Sequence, residues 1–174
     1  MKKIIILMIC AVLALSLWGC GEKKEEGPSG QSPDGTFSFT TTDFDGNGFS
    51  SSDIEDAVLV MINIWEPWCG PCVGEIPYLA KLYDEYRDEG FLILGVFSSE
   101  DMDDSVKELI DENGIHYPLL RWSREFRVLE TGYVPTTVFM SGKGEILTDE
   151  AIVGSNSYEA WKALIEEYLE KAKE

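Results

Sequence analysis

Two cysteines spaced C-x-x-C stand between a long apolar run and a helical pattern, and this juxtaposition narrows the fold more than any other feature. Ala57 to Ile64 (AVLVMINI) is β-branched and almost continuously apolar, which suits a central strand buried on both faces. It runs into Cys69-Gly70-Pro71-Cys72. Beyond the cysteines, apolar residues at 76, 79, 82, 83 and 86 have helical spacing, closed by Gly90, and Phe91 to Phe97 (FLILGVF) reads as a second buried strand. The result is a βαβ unit with the cysteines at its strand-to-helix junction.

The remaining pattern continues in the α/β class. Asp101 to Asn113 reads as an amphipathic helix ending at Gly114. Val134 to Met140 and Glu145 to Leu147 flank Ser141-Gly142-Lys143-Gly144, a hairpin signal. Ser157 to Lys173 closes the chain as a helix with Trp161, Leu164, Ile165, Tyr168 and Leu169 on one stripe. Thr36 to Thr42 (TFSFTTT) reads as a strand. The following Asp43-Phe44-Asp45-Gly46-Asn47-Gly48 begins like a calcium loop, but Ile54 stands where a bidentate Glu is required, so a β-turn is expected.

The N-terminus follows different rules. Lys2 and Lys3 precede an uncharged apolar run from Ile4 to Trp18 that is short for a membrane span, the pattern of a secretory signal over residues 1–19. Leu17-Trp18-Gly19-Cys20 resembles the lipobox of bacterial lipoproteins, with Trp18 where that pattern carries a small residue. The resemblance implies cleavage before Cys20 and its lipidation. Residues 20–35 lack large apolar side chains and read as a lipid-anchored flexible tether, leaving residues 36–174 as the folded domain. With 32 Asp and Glu against 14 Lys and Arg, the chain has a net charge of −18, which argues against nucleic acid and against electrostatic adhesion to anionic lipid.

Of the four cysteines, Cys10 lies in the leader and Cys20 in the lipobox-like stretch, so Cys69 and Cys72 are the pair left to the domain. A bridge closing so small a loop adds little stability, which points to a redox couple rather than a staple. No second C-x-x-C accompanies them, and His116 is the sole imidazole, reading as a structural contact, so no metal is expected. Val73 occupies the place where c-type haem attachment requires His. No cofactor is expected.

At a helix N-terminus, unpaired N–H groups and the macrodipole favour the thiolate of Cys69, making it the nucleophile toward a substrate disulfide. Cys72, one turn further in, resolves the mixed disulfide. Glu75 shares the helix face of Cys72; it either takes that thiol's proton or is a solvated helix glutamate. Glu66 either sets its charge near Cys69, where it would raise the thiolate pKa, or, being extended before Pro67, faces solvent, which is the expected state. Trp65 reads as core, and Pro77 as a kink that removes the hydrogen bond to Val73.

Trp65-Glu66-Pro67-Trp68-Cys69-Gly70-Pro71-Cys72, with Tyr133-Val134-Pro135-Thr136-Thr137 downstream, resembles the thioredoxin-fold oxidoreductases. Asn63-Ile64-Trp65, Cys72-Val73-Gly74-Glu75-Ile76-Pro77 and the Val-Pro-Thr-Thr stretch are similar to the TlpA/ResA branch of that family. The resemblance implies a central mixed sheet flanked by helices, an N-terminal β extension and an inserted strand–helix element. It makes Cys69, Cys72 and Glu75 the catalytic group and implies a cis Val134–Pro135 peptide facing the cysteines. Trp68, Gly70, Pro71, Val134 and Pro135 are then the substrate-binding residues. Asn63 occupies the position of thioredoxin's buried acid, which leaves Glu75 as the proton partner.

The resemblance implies a monomeric protein-disulfide reductase anchored outside the membrane, as in cytochrome c maturation, receiving electrons from a CcdA/DsbD-type transporter. Its substrates are protein disulfides. A disulfide-forming oxidant is disfavoured by the Gly70-Pro71 dipeptide, and a thiol peroxidase by the absence of a peroxidase motif. A non-enzymatic binding module with an incidental cysteine pair is the third alternative.

Overall fold

The computed structural model describes residues 30–32 and 34–174. The signal segment, the lipidation site Cys20 and most of the tether lie outside the described residues. Where description begins, the chain is already bonded to the domain, with Ser38 N donating to Gly30 O at 3.0 Å and Ser32 N to Thr36 O at 2.8 Å.

The expected βαβ unit is present. Strand β3 (Leu59–Ile64) is buried at every position, helix α1 covers Gly70–Tyr86, and β4 (Phe91–Phe97) returns parallel to β3. Helix α2 (Asp103–Asn113), ending at a left-handed Gly114, and strand β5 (Leu119–Arg121) follow as the inserted element, with β5 parallel to β4 at one edge. Strand β6 (Thr136–Met140) then pairs antiparallel on the other side of β3, and β7 (Ile152–Val153) antiparallel to β6. The sheet order is β5-β4-β3-β6-β7, and helix α3 (Tyr158–Lys171), capped by Ser157, ends the chain. This is a thioredoxin-like fold with a mixed sheet.

The alternation of side chains along β3 divides the core in two. Leu59 and Met61 face the helices, packing with Ile76, Leu79, Phe139, Trp161 and Ile165. Val60, Ile62 and Ile64 face the opposite side, with Phe37, Phe39, Ile54, Phe126 and Met140. A strand apolar on both faces needs both covered. Helices α1, α2 and α3 contribute to the first face, while the second is sealed by the N-terminal segment and a short 3-10 turn, Arg124–Leu129. The N-terminal extension, with its two-stranded hairpin β1 (Thr40–Thr42) and β2 (Gly48–Ser50), is thus part of the core. The β1–β2 turn is closed by Asp43, whose carboxylate accepts from Asn47 N at 2.8 Å and Asn47 Nδ2 at 2.9 Å.

Two expectations are corrected. Strand β6 begins at Thr136 rather than Val134, because Pro135 has no N–H to give a ladder. The hairpin across Ser141–Gly144 is present, with the antiparallel bridge Met140 to Ile146 and Leu147 N donating to Phe139 O at 2.8 Å, but its return arm stays short of a strand and the strand paired with β6 on this side is Ile152–Val153. The Ser141–Glu145 turn is closed by its own bonds, Ser141 N to Glu145 O at 2.8 Å and Gly144 N to Ser141 O at 2.9 Å, and the hairpin is tied to the rest of the domain at two points. Phe37 N donates to Gly144 O at 2.8 Å, and Lys171 Nζ donates to Leu147 O at 2.6 Å.

Candidate active site

Strand β3 ends at Ile64, and the segment Trp65 to Cys69 carries the chain across the C-terminal edge of the sheet into α1. Trp65 is buried, its N–H held by Val96 O at 2.9 Å. Cys69 N donates to Glu66 O at 3.0 Å, which closes the turn through Pro67 and Trp68. Cys69 is the N-cap of α1, and Pro71 lies in the first turn, where its missing N–H costs nothing.

Cys69 and Cys72 form a disulfide, with Cα atoms 5.2 Å apart. Both are buried, Cys69 with 6% of its surface exposed and Cys72 with 1%. Cys72 N–H points at Cys69 Sγ at 3.3 Å, one of the helix-terminal donors that stabilises a thiolate at this position once the bond is reduced. Val134–Pro135 is cis, and the Val134 carbonyl oxygen lies 3.6 Å from Cys69 Sγ. The loop that enters β6, the strand next to β3, therefore brings Val134 and Pro135 against Cys69, as the resemblance implied. Gly70 opens α1 and is exposed, and Trp68 stands beside the site with 63% of its surface exposed.

Glu75 is not a solvated helix residue. It is 1% exposed on the inner face of α1, along with Cys72. Its carboxylate accepts from Asn63 Nδ2 at 3.1 Å, Asn156 N at 3.1 Å and Trp161 Nε1 at 2.9 Å. Burial pushes the Glu75 carboxyl above its ordinary value, against the opposing pull of these three donors. Tyr117 faces it as well: burial and then the Glu75 charge push that hydroxyl up. Asn63, the strand residue expected in place of an acid, also donates to Thr137 Oγ1 at 3.0 Å across the β3–β6 pair.

Glu66 is the correction at this site. It does not face solvent: it is 8% exposed, and its carboxylate is bound by the last residues leaving β4. Ser98 N donates to Oε1 at 3.0 Å and Ser99 N to Oε2 at 3.2 Å, and both serine hydroxyls bond the same two oxygens. The extended backbone before Pro67 turns this side chain toward β4 rather than outward. His116, as expected, makes a surface contact, 3.2 Å from Asp84.

The family model described as AhpC/TSA family matches residues 33–148. The chain belongs to the AhpC/TSA family. It is 26% identical to a thiol-disulfide oxidoreductase ResA of Bacillus cereus, covering 98% of this chain and 94% of that protein. ResA of Geobacillus kaustophilus is 29% identical, with 99% and 95% covered. Among solved structures, a thiol:disulfide interchange protein of the thioredoxin family from Chlorobium tepidum TLS superimposes with a TM-score of 0.66 at 25% identity, over 82% of this chain and 97% of that one. Within the AhpC/TSA family, then, this member resembles the ResA-type thiol-disulfide oxidoreductases over nearly its whole length.

Proposed function

We propose that this thiol-disulfide oxidoreductase is a lipid-anchored protein-disulfide reductase on the outer side of the cell membrane, acting on substrates such as those of cytochrome c maturation. One observation carries the chemistry: a buried Cys69–Cys72 couple at a helix N-terminus, with a backbone carbonyl beside its outer sulfur and a buried carboxyl on the helix face of its inner one. The Cys69 thiolate attacks a substrate disulfide, forming a mixed disulfide and releasing one substrate thiolate. The Cys72 thiolate then attacks Cys69 Sγ, releasing the second substrate thiol and leaving the bridge seen here. Two electrons pass to the substrate. Glu75 takes the Cys72 proton as that thiol becomes the nucleophile, a step suited to a carboxyl whose proton affinity burial has raised.

Trp68, Gly70, Pro71, Val134 and Pro135 hold the substrate chain, with the Val134 backbone pairing to it beside Cys69. Electrons return through a membrane transporter of the CcdA/DsbD type. The anchor at Cys20 and the leader before it support the location, and the Gly70-Pro71 dipeptide supports the reducing direction.

Expression of the full chain carrying Cys72→Ala tests this, followed by thiol quenching and membrane fractionation. Mixed disulfides with envelope proteins are expected in the membrane fraction, released by reductant and absent from Cys69→Ala. Adducts found only in the cytoplasmic fraction would overturn the location, and their absence the mechanism. Rapid peroxide consumption by the wild-type protein would favour a thiol peroxidase instead.

A further inference from the structure

The Glu66 carboxylate is unusual in that its acceptor positions are filled by one short segment, the two serines that follow β4. A carboxylate has about four lone-pair sites. Here two take the Ser98 and Ser99 N–H groups, which leave the end of β4 without a strand partner, and two take the serine hydroxyls. The proton count fits only one arrangement. Each hydroxyl gives its single hydrogen to Glu66, so the lone pairs of Ser99 Oγ are free to accept, and Trp68 Nε1–H donates to that oxygen at 3.2 Å. A directional chain results, from indole to hydroxyl to carboxylate, in which each bond polarises the next.

Trp68 is the group this chain holds. It is largely exposed, and with Glu66, Ser98, Trp122, Tyr133 and Val134 it lines a groove that borders the couple at Val134, whose carbonyl oxygen lies 3.6 Å from Cys69 Sγ. An exposed tryptophan left free samples several rotamers and must be ordered each time a substrate lands on it. One whose indole N–H is fixed is ordered in advance.

We propose that Glu66 is a positioning residue, which through Ser99 fixes the Trp68 ring beside the redox couple as a preformed platform for the substrate chain. This rests on the disulfide-reductase function proposed above and adds the residue that sets its substrate affinity. The mechanism is preorganisation. Removing the tie leaves the cysteine chemistry in place and costs only the ordering of one side chain on binding, about a three- to tenfold rise in KM.

The test uses the full chain in detergent, with 15N-labelled tryptophan and the Trp68 indole signal assigned by Trp68→Phe. In Glu66→Ala and in Ser99→Ala the Trp68 indole N–H is expected to exchange with water about tenfold faster than in wild type, as for the loss of one hydrogen bond. The Trp161 indole, bound to Glu75, is expected to be unchanged. KM for a disulfide substrate is expected to rise with kcat and the reduction potential unaltered. On a Trp68→Phe background, Glu66→Ala is expected to raise KM no further. Unchanged indole exchange in both variants, or a KM rise of the same size on the Phe background, would overturn the proposal. Ser99→Ala removes a single oxygen and keeps the test decisive where Glu66→Ala fails to fold. Should the wild type reduce no disulfide, the reductase function fails, while indole exchange still decides whether Glu66 positions Trp68.

Discussion

Two buried glutamates flank the C-x-x-C motif in sequence, and their partners differ. Glu66 accepts from four donors, two of them backbone N–H groups, whereas Glu75 accepts from three and is the more deeply buried of the two. For Glu75 desolvation outweighs the hydrogen bonds, so its folded pKa stands above the ordinary 4.5. The native protein therefore keeps this proton to higher pH than the unfolded chain does. By linkage, stability from this group is fully present below the unfolded value and declines as pH rises through the folded one. Urea unfolding of the oxidised protein at stepped pH above 4.5 is expected to show a fall in midpoint that is shallower in Glu75→Gln. Parallel slopes would show that Glu75 does not carry this proton. Glu75 was readable from sequence because its spacing from Cys72 is helical. Glu66 was not, because Ser98 and Ser99 lie 32 and 33 positions away and no local pattern links them.

At the scale of elements, the same contrast between local and distant information recurs. Strand β4 agrees with its apolar run at both ends, and β3 and α1 closely, since burial on both faces and helical spacing are written into contiguous residues. The pairing after β6 is different, because the turn there is fixed by elements far along the chain. Gly142 packs so closely that a Cβ on it would lie 2.3 Å from Ala57 O and 2.6 Å from Ile54 O. Gly144, at φ +86°, would place one 2.3 Å from Phe37 O. These are backbone atoms on the segment entering β3 and on the N-terminal extension, and they cannot yield as a side-chain tip can. The turn is thus a clasp between the end of β6 and the cover of the second sheet face. Gly142→Ala is expected to destabilise the protein by about 3 kcal/mol, read as a lower urea midpoint. The Cys69–Cys72 potential should stay unchanged, since the clasp lies at the opposite end of β6 from Thr136, which follows Pro135. A potential that moved with stability would show the two ends of β6 to be coupled.

For the whole molecule, charge acts where neither side chains nor elements do. The chain carries a surplus of 18 negative charges, and Glu66 and Glu130 line the groove beside the site, so the long-range field a partner meets on approach is negative. Such a field speeds the approach of a cationic partner and slows an anionic one, and both effects fade as the Debye length shrinks to about 8 Å at physiological salt. Attack on a disulfide follows encounter, so kcat/KM inherits this dependence, while kcat at saturation does not. Reduction of a basic disulfide protein is therefore expected to lose kcat/KM as salt rises from low to physiological strength, and that of an acidic one to gain it, with the two converging at high salt. Stopped-flow measurement with one substrate of each sign gives the comparison. Identical salt dependence for the two would mean that the acidic surface serves solubility rather than substrate encounter, and that selectivity rests with the groove beside Trp68 alone.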